Sequence, residues 1–189
     1  SAPTSVVANV NDTPTGTVTI SGTPTENQVL TAANTLADED GLGTISYQWN
    51  RDGSIISSAT TTTYTLLQAD VGAAITVTAS YSDGQGTVES VTSSATSVVA
   101  NVNNTPTGTV TISGTTTQGE VLTAANTLAD SDGLGTISYQ WKRDGSAISG
   151  ATASTYTLLQ ADVGAAITVT ASYSDGQGTV ESVTSSATS

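Results

Sequence analysis

The feature that most constrains this chain is a repeat of its own sequence at a fixed offset of 92 residues. Aligning residues 1–97 with residues 93–189 gives 97 pairs without insertion or deletion, and 13 of them differ. A unit of this length fits one small domain with its own core, whereas solenoid repeats are much shorter and share a core with their neighbours. We therefore predict two tandem domains, at residues 1–99 and 100–189. Residues 1–8 are expected to be the tail of a preceding repeat.

Apolar and polar residues alternate in short segments, which is typical of half-buried β-strands. In the first repeat, residues 75–81 alternate Ile, Val, Ala and Tyr with polar residues, and the segment Val88–Val99 closes the unit. Turn residues separate the segments, as at Asp52 and Gly53. No stretch has the period of a long amphipathic helix. Short strands with turns about every 8–12 residues predict an all-β sandwich.

Two motifs narrow the prediction. The segment Trp49–Gly53 resembles the strand C signature of immunoglobulin-like domains, in which a core Trp precedes a polar hairpin turn. Leu67–Gly72, followed by Ile75 and Val77, resembles the corner that enters strand F of the same domains. The two Cys residues of antibody domains are absent. The resemblance implies two tandem immunoglobulin-like β-sandwich domains in an elongated rod, with the Trp side chains in the cores.

Composition excludes several functions. The chain has 16 acidic and 3 basic residues, a formal net charge of −13, and no His or Cys. A thiol nucleophile, a Ser–His–Asp triad and a zinc site therefore lack their residues. The negative charge argues against nucleic acid and anionic membrane surfaces as partners, since both favour Lys and Arg. No apolar run approaches the roughly 18–20 residues of a membrane span, so we expect no direct membrane insertion. Asp38 and Asp40 occupy neighbouring turn positions in both copies without a visible cleft, so we expect no enzymatic activity.

Three acidic elements recur in each repeat. In the first copy they are Asn9–Pro14 before strand A, Asp38–Gly41 between strands B and C, and Asp83–Gly86 between strands F and G. The first resembles the Asn/Asp-rich linker of cadherin repeats. The second has an Asp-x-Asp-Gly pattern, which places oxygen ligands at alternating positions of a tight turn. Because strands alternate in direction in an immunoglobulin-like sandwich, we expect all three elements at one pole.

The opposite pole is expected to carry Glu26, Asp52 and Asp70, so the junction between the copies would bring the two poles together. Ca²⁺ needs about 6–8 oxygen ligands, which such a junction can offer. Clustered carboxylates with few basic partners repel one another unless a cation neutralises them. We therefore predict Ca²⁺ as the cofactor. Its candidate ligands are Asn9, Asn11, Asp12, Asp38, Asp40, Asp83, Asn101, Asn103, Asn104, Asp130, Asp132, Asp175, Glu26, Asp52 and Asp70.

Several of these residues also have a purely structural interpretation. Asp-Gly pairs are ordinary turn residues. Asp70 can cap its own corner, and Asp52 fits a simple hairpin turn. Glu89 and Glu181, which we do not count as ligands, are expected to be solvated strand residues.

Each whole repeat resembles the tandem immunoglobulin-like extender repeats of giant bacterial surface adhesins, which are calcium-dependent, type I-secreted and often carry RTX sequences. The matching stretches are ANVND or NTPTG, LADxDGLGTISYQW, TYTLLQADVG and ITVTASYSDGQG. The resemblance implies an extracellular spacer on the bacterial cell surface, rigidified by Ca²⁺ between domains, which projects a ligand-binding region in adhesion and biofilm formation. Its partners would be adjacent repeats, and we expect a monomer.

The alternative is a carbohydrate- or ice-binding module, which Thr-rich strand surfaces such as Thr60–Thr63 support. In the second copy, however, Thr61 and Thr62 become Ala153 and Ser154. The few aromatic residues are predicted to be in the core. The spacer is therefore the favoured hypothesis.

Overall fold

The computed structural model describes residues 5–188, in which the chain divides into two compact units between Val102 and Asn103. Residues 1–4, which include half of the predicted tail at 1–8, and residue 189 lie outside the described residues. Each unit is described by itself below.

The first unit consists of two antiparallel sheets. Its strands are β1 (Val18–Ser21), β2 (Val29–Asn34), β3 (Ser46–Arg51), β4 (Ser54–Ile55), β5 (Thr63–Thr65), β6 (Ile75–Ser82) and β7 (Val88–Thr92). A 3-10 turn at Gln68–Asp70 leads into β6. One sheet has the order β1-β2-β5 and the other has the order β4-β3-β6-β7.

The second unit repeats this arrangement. Its strands are β8 (Val110–Ser113), β9 (Val121–Asn126), β10 (Ser138–Arg143), β11 (Ser146–Ala147), β12 (Thr155–Thr157), β13 (Ile167–Ser174) and β14 (Val180–Thr184), with a 3-10 turn at Gln160–Asp162. The sheets have the orders β12-β9-β8 and β11-β10-β13-β14. Within residues 5–188, no helix is long and apolar enough to cross a membrane.

The core of each unit lies between its two sheets, which confirms the predicted all-β sandwich. In the first unit, Leu30 on β2 and Trp49 on β3 are fully buried from opposite sheets. The indole N–H of Trp49 donates to the carbonyl of Thr61 over 2.9 Å, and its ring stacks on Tyr64 at 5.8 Å. Trp141 makes the same contacts with Ala153 and Tyr156. Burying the ring while pairing its one donor explains why the Trp lies at this position.

The segment after β7 differs from a simple linker. Within the segment Val88–Val99, which the sequence predicts to close the unit, the strand ends at Thr92. Val99 nevertheless lies in the core of the first unit with 2% of its surface exposed, and it forms a parallel bridge with Val71. Residues that follow the last strand therefore complete the core of the unit before them.

Candidate metal site

The linker and two loops of the first unit meet at one end of the sandwich. The backbone N–H of Asp12 donates to Asp40 Oδ2 over 2.7 Å, and the N–H of Gly84 donates to the carbonyl of Asp40 over 3.0 Å. A Cβ on Gly84 would lie 2.5 Å from that carbonyl oxygen, so glycine is required for the approach. The structure thus brings together the three acidic elements that the sequence identified.

Asp38 shapes the loop between β2 and β3. Its Oδ1 accepts the N–H of Asp40 over 2.9 Å, and its Oδ2 accepts the hydroxyl of Tyr81 over 2.6 Å. Burial raises the pKa of Tyr81, and the hydrogen bond to Asp38 raises it further, so the phenol remains a donor at neutral pH. In the second unit, Asp130 makes the same bonds to Asp132 and Tyr173.

Asp83 is an ionised carboxylate with one unpartnered oxygen. Its Oδ1 accepts the N–H groups of Gln85 at 2.9 Å and Thr87 at 2.7 Å. Burial acts to raise its pKa, but these backbone hydrogen bonds outweigh burial and hold the pKa below its usual value. Its Oδ2 is buried and has no hydrogen-bond partner among the described residues. The side chain is therefore charged and turned away from water.

The second unit has two such oxygens at the equivalent place. Asp132 is 4% exposed and accepts the N–H of Asn104 at Oδ2 over 2.6 Å, while its Oδ1 is buried without a partner in the range 5–188. Asp175 accepts Gln177 and Thr179 at Oδ1, and its Oδ2 is also unpartnered within that range. The two loops touch, since Gly176 donates to the carbonyl of Asp132 over 2.9 Å.

Two Glu residues that the sequence assigned to solvent belong to this end of each unit. The side-chain amide of Asn11 donates to Glu89 over 2.7 Å, and Asn103 donates to Glu181 over the same distance. Glu89 lies directly opposite Tyr81 in the β6–β7 register. The alternation of residues in β6 and β7 implies this register, and it could have predicted that Glu89 lies near the acidic loops.

The change from Asp12 to Asn104 between the copies is explained by these contacts. The group that binds the neighbouring loop is the backbone N–H in both cases, so the side chain can differ.

Asn9, another predicted ligand, is exposed. Asn101 has a buried amide oxygen that is unpartnered within the described residues.

The acidic residues predicted for the other pole make fold contacts. Asp70 is fully buried and accepts Arg51 Nε at 2.7 Å, the Tyr64 hydroxyl at 2.8 Å and the Leu67 N–H at 2.8 Å. Asp162 is bonded in the same way in the second unit. Both oxygens of Asp70 thus accept hydrogen bonds from the fold itself, which matches its alternative interpretation as the cap of its own corner.

The remaining two residues of that pole also bind backbone groups. Asp52, at a positive φ of 44°, accepts the N–H of Ala74 over 2.9 Å. Glu26 is buried and accepts the N–H of Val102 over 3.2 Å. Its counterpart is Gln118, so this carboxylate is not repeated.

The end of each unit where these loops meet, around Asp40 and Asp83 or Asp132 and Asp175, is called the loop end. A cation there would have to bind carboxylate oxygens together with other kinds of oxygen ligand. Within residues 5–188, no three or more His, Cys, Asp or Glu side chains form a ready metal-binding group. The unpartnered oxygens of Asp83, Asp132 and Asp175 nevertheless fit a hard cation, which also binds Asn amides, carbonyls and water. No protein-family model matches this chain, and no curated protein matches it.

Proposed function

We propose that this chain is an extracellular spacer segment of a bacterial cell-surface adhesin, stiffened by Ca²⁺ at the loop end of each unit. The observation that supports it best is that Asp132 and Asp175, in two loops that touch, each have a buried carboxylate oxygen without a hydrogen-bond partner in residues 5–188. The sequence resemblance to adhesin extender repeats supports the same function, with adjacent repeats as partners. A spacer needs defined length and stiffness, and it needs no reactive side chain.

A cation is favoured because, among the described residues, the ion pairs of basic side chains lie away from this end. A buried carboxylate oxygen without a donor loses its hydration and gains nothing in return. The chain has three basic residues, and two of them, Arg51 and Arg143, already pair with Asp70 and Asp162. A bound cation would supply the missing partner to both Asp132 and Asp175.

Ca²⁺ is the cation that this ligand chemistry favours. The chain lacks the imidazole and thiolate ligands typical of zinc sites, and loops with carboxylate, amide and carbonyl oxygens suit a larger, flexible coordination sphere. With two buried carboxylates per site, we expect the weak affinity of extracellular calcium modules, with a Kd on the order of 10⁻⁴–10⁻³ M. Such a site fills outside the cell, where calcium is abundant.

Calcium would act on stability and on stiffness together. An ion that binds the folded unit alone stabilises it by mass action, by about 2.7 kcal/mol when its concentration is 100-fold above Kd. Because Asn103 and Asn104 are bonded to the same end of the second unit, an ion there would also hold the linker in place. The segment would then transmit force and orientation along the chain.

The test is Asp175→Asn measured against Asp144→Asn. Both substitutions remove one charge from the second unit, but Asp144 lies in the exposed β10–β11 turn, where its Oδ1 accepts the N–H of Ala166. For each protein, the melting temperature is measured in about 10 mM Ca²⁺ and in EDTA at equal ionic strength. We expect the calcium-dependent shift to shrink in Asp175→Asn and to be unchanged in Asp144→Asn.

The spacer part of the proposal has its own measurement. Solution scattering should give a narrower distribution of particle lengths with Ca²⁺ than with EDTA. Equal melting temperatures and equal scattering in the two conditions would refute the calcium-stiffened spacer. The carbohydrate- or ice-binding alternative stays a prediction, which a glycan array and an ice-affinity assay can test.

A further inference from the structure

In the first unit, β1 forms an edge of the three-stranded sheet, because it pairs with β2 on one side only. Thr15 and Ala37 exchange two backbone hydrogen bonds of 2.8 and 3.0 Å, and the N–H of Thr35 donates to the carbonyl of Thr17 over 2.9 Å. Hydrogen-bonded pairs alternate along an antiparallel ladder. The odd-numbered residues of β1 therefore bond to β2, and the even-numbered residues direct their backbone groups away from it.

The even-numbered residues of β1 are Val18 and Ile20. Within residues 5–188, no backbone hydrogen bond joins either of them to the loops around the strand. An open groove of about 210 Å³ runs beside them, between residues 18–20 and residues 94–96. Residues 5–17 before the strand and residues 93–102 after β7 are all described, and none of them pairs with these two residues. The edge of β1 is therefore open to a further strand.

This edge also lacks the features that usually protect an exposed strand. Natural sheets protect their edges with charged residues, Pro, bulges or very short strands. The segment Thr15–Ser21 reads TGTVTIS and contains neither a charged residue nor a Pro. By contrast, β7 carries Glu89, and the edge strands β5 and β4 have three and two residues. Among the edges of the first unit, β1 is the one most suited to pairing.

The distribution of charge allows a second copy of the chain to approach this edge. None of the acidic residues lies on β1, β2 or β5. Two copies can therefore meet at β1 without placing carboxylates opposite each other, although each molecule carries a charge of −13. The repulsion between the more distant charges is screened by salt, since the Debye length is about 8 Å at 0.15 M ionic strength.

We propose that the edge of β1 pairs antiparallel with the edge of β1 in a second copy of this chain. Val18 lies opposite the partner's Ile20, and Thr19 lies opposite the partner's Thr19 at a two-fold axis. Val18 and Ile20 then each exchange both backbone hydrogen bonds with the residue opposite. Their side chains still face the cores and Thr19 still faces solvent, so this register preserves the pattern of both sheets.

The contact joins the same surface of both copies, so it is isologous and closes as a dimer at each edge. Pairing two four-residue strands buries less than the roughly 1,200 Å² of a stable interface, so the association is weak. In the second unit, β8 has the same sequence and the same register with β9, so each chain carries this edge twice. The monomer expected from the sequence is then the state at low concentration. The contact requires neither calcium nor the proposed spacer function.

The test compares charge substitutions at Thr19 and Thr31 in the full chain. Both side chains are exposed on the same face of the sheet, but Thr31 lies on the middle strand, away from the edge. Each variant carries the same change at the equivalent position of the second unit, Thr111 or Thr123, so the added charge is matched. The melting temperature checks that each variant is folded.

Sedimentation equilibrium in EDTA and about 0.15 M salt measures the weight-average mass as concentration rises. We expect the protein with Thr19→Glu and Thr111→Glu to associate at least about fourfold more weakly, because like charges then lie about 5 Å apart across the contact. The protein with Thr31→Glu and Thr123→Glu should associate nearly as the unsubstituted chain does.

Opposite charges at the same position provide the second readout. Mixing the protein with Thr19→Lys and Thr111→Lys with its Glu counterpart should restore association, because opposite charges then face each other. The corresponding mixture of Thr31 and Thr123 variants should show no such gain. In the unsubstituted chain, hydrogen exchange at the N–H groups of Val18 and Ile20 should slow as concentration rises, while that of Thr19, which is directed at β2, should not change.

Four outcomes overturn the proposal. The first three are a mass that does not depend on concentration, equal association of the Thr19 and Thr31 variants, and a mixture of Glu and Lys variants at Thr19 that associates no better than either protein alone. The fourth is slower exchange at β5 or β7 in place of β1, since self-association would then use a different edge.

Discussion

Asp70 offers the sharpest test of how each unit is held together, because one carboxylate satisfies three separate parts of the fold. It joins Arg51 at the end of β3, Tyr64 on β5 and the backbone of Leu67 before the 3-10 turn. Arg51 also reaches it through Nη2 at 2.6 Å. Asp70→Ala removes all of these acceptors at once and leaves the donors in place.

The expected cost follows from what is left unpaired. Breaking a buried ion pair by removing one partner costs about 3–5 kcal/mol. Arg51 is 32% exposed and recovers part of its hydration, but the Tyr64 hydroxyl and the Leu67 N–H lose a buried acceptor worth roughly 1–3 kcal/mol each. We therefore expect the first unit to lose about 3–5 kcal/mol, which lowers its melting temperature by at least about 12 °C.

Calorimetry on the full chain measures this loss with an internal reference, since the second unit keeps Asp162. Asp70→Ala should produce an early transition for one unit and an unshifted one for the other. Glu39→Ala is the control, because Glu39 is exposed and is Ser131 in the second repeat. We expect it to change stability by less than about 0.5 kcal/mol.

The double variant Arg51→Met with Asp70→Leu removes the ion pair but keeps apolar side chains in its place, so it distinguishes the loss of charge pairing from the loss of packing. It removes both charges together, so it should be more stable than Asp70→Ala alone. If Asp70→Ala instead melts in one transition within about 2 °C of the unsubstituted chain, the reasoning from buried unpaired groups fails.

Two further predictions concern the linker and alkaline pH. Val99→Ala should destabilise the first unit by about 1–2 kcal/mol because Val99 is buried, while Val98→Ala should change its stability little because Val98 is exposed; urea denaturation measures both, and equal effects would contradict the role of Val99 in the core. Burial, assisted by the hydrogen bond to Asp70, raises the pKa of Tyr64 from 10.0 to about 12. Since the pKa of Tyr64 is higher in the folded state, its contribution to the free energy of unfolding is complete below pH 10 and is lost as the pH rises towards 12. Tyr64→Phe should therefore flatten the decline of the melting temperature at alkaline pH. An unchanged decline would contradict the raised pKa of Tyr64 as its cause.

Much of the sandwich could be predicted from the sequence because its signal is local. Strand positions can be predicted without knowing which strands pair. The evidence is a period of two over residues 75–81 and a turn at Asp52 and Gly53. The covering role of Val99 could not be predicted in this way. Its burial depends on Val71, a residue distant along the chain, and its own local pattern does not differ from that of an ordinary linker.

The candidate site could likewise be predicted in part from the sequence. Strand direction alone predicted that the loops at Asp40 and Asp83 would meet, and the structure brings them together. Whether a given carboxylate oxygen is occupied depends on single hydrogen bonds, such as that of Tyr81 to Asp38, and no sequence pattern encodes those. Composition indicated too few bases to balance the acids, but it could not show that Arg51 is committed to Asp70.

The position of Val99 also bears on how such an array can change in length. The first unit is completed by Val99 and Ala100, which align with Val7 and Ala8, so the span that folds as this unit is displaced along the chain from residues 1–92. In the tandem array proposed above, every period of 92 residues would supply one sandwich and one segment that covers the sandwich before it. Recombination that adds or deletes whole periods, wherever the breakpoints fall, therefore leaves every interior unit with its covering strand. A tandem gene built this way can lengthen or shorten its product without a structural penalty.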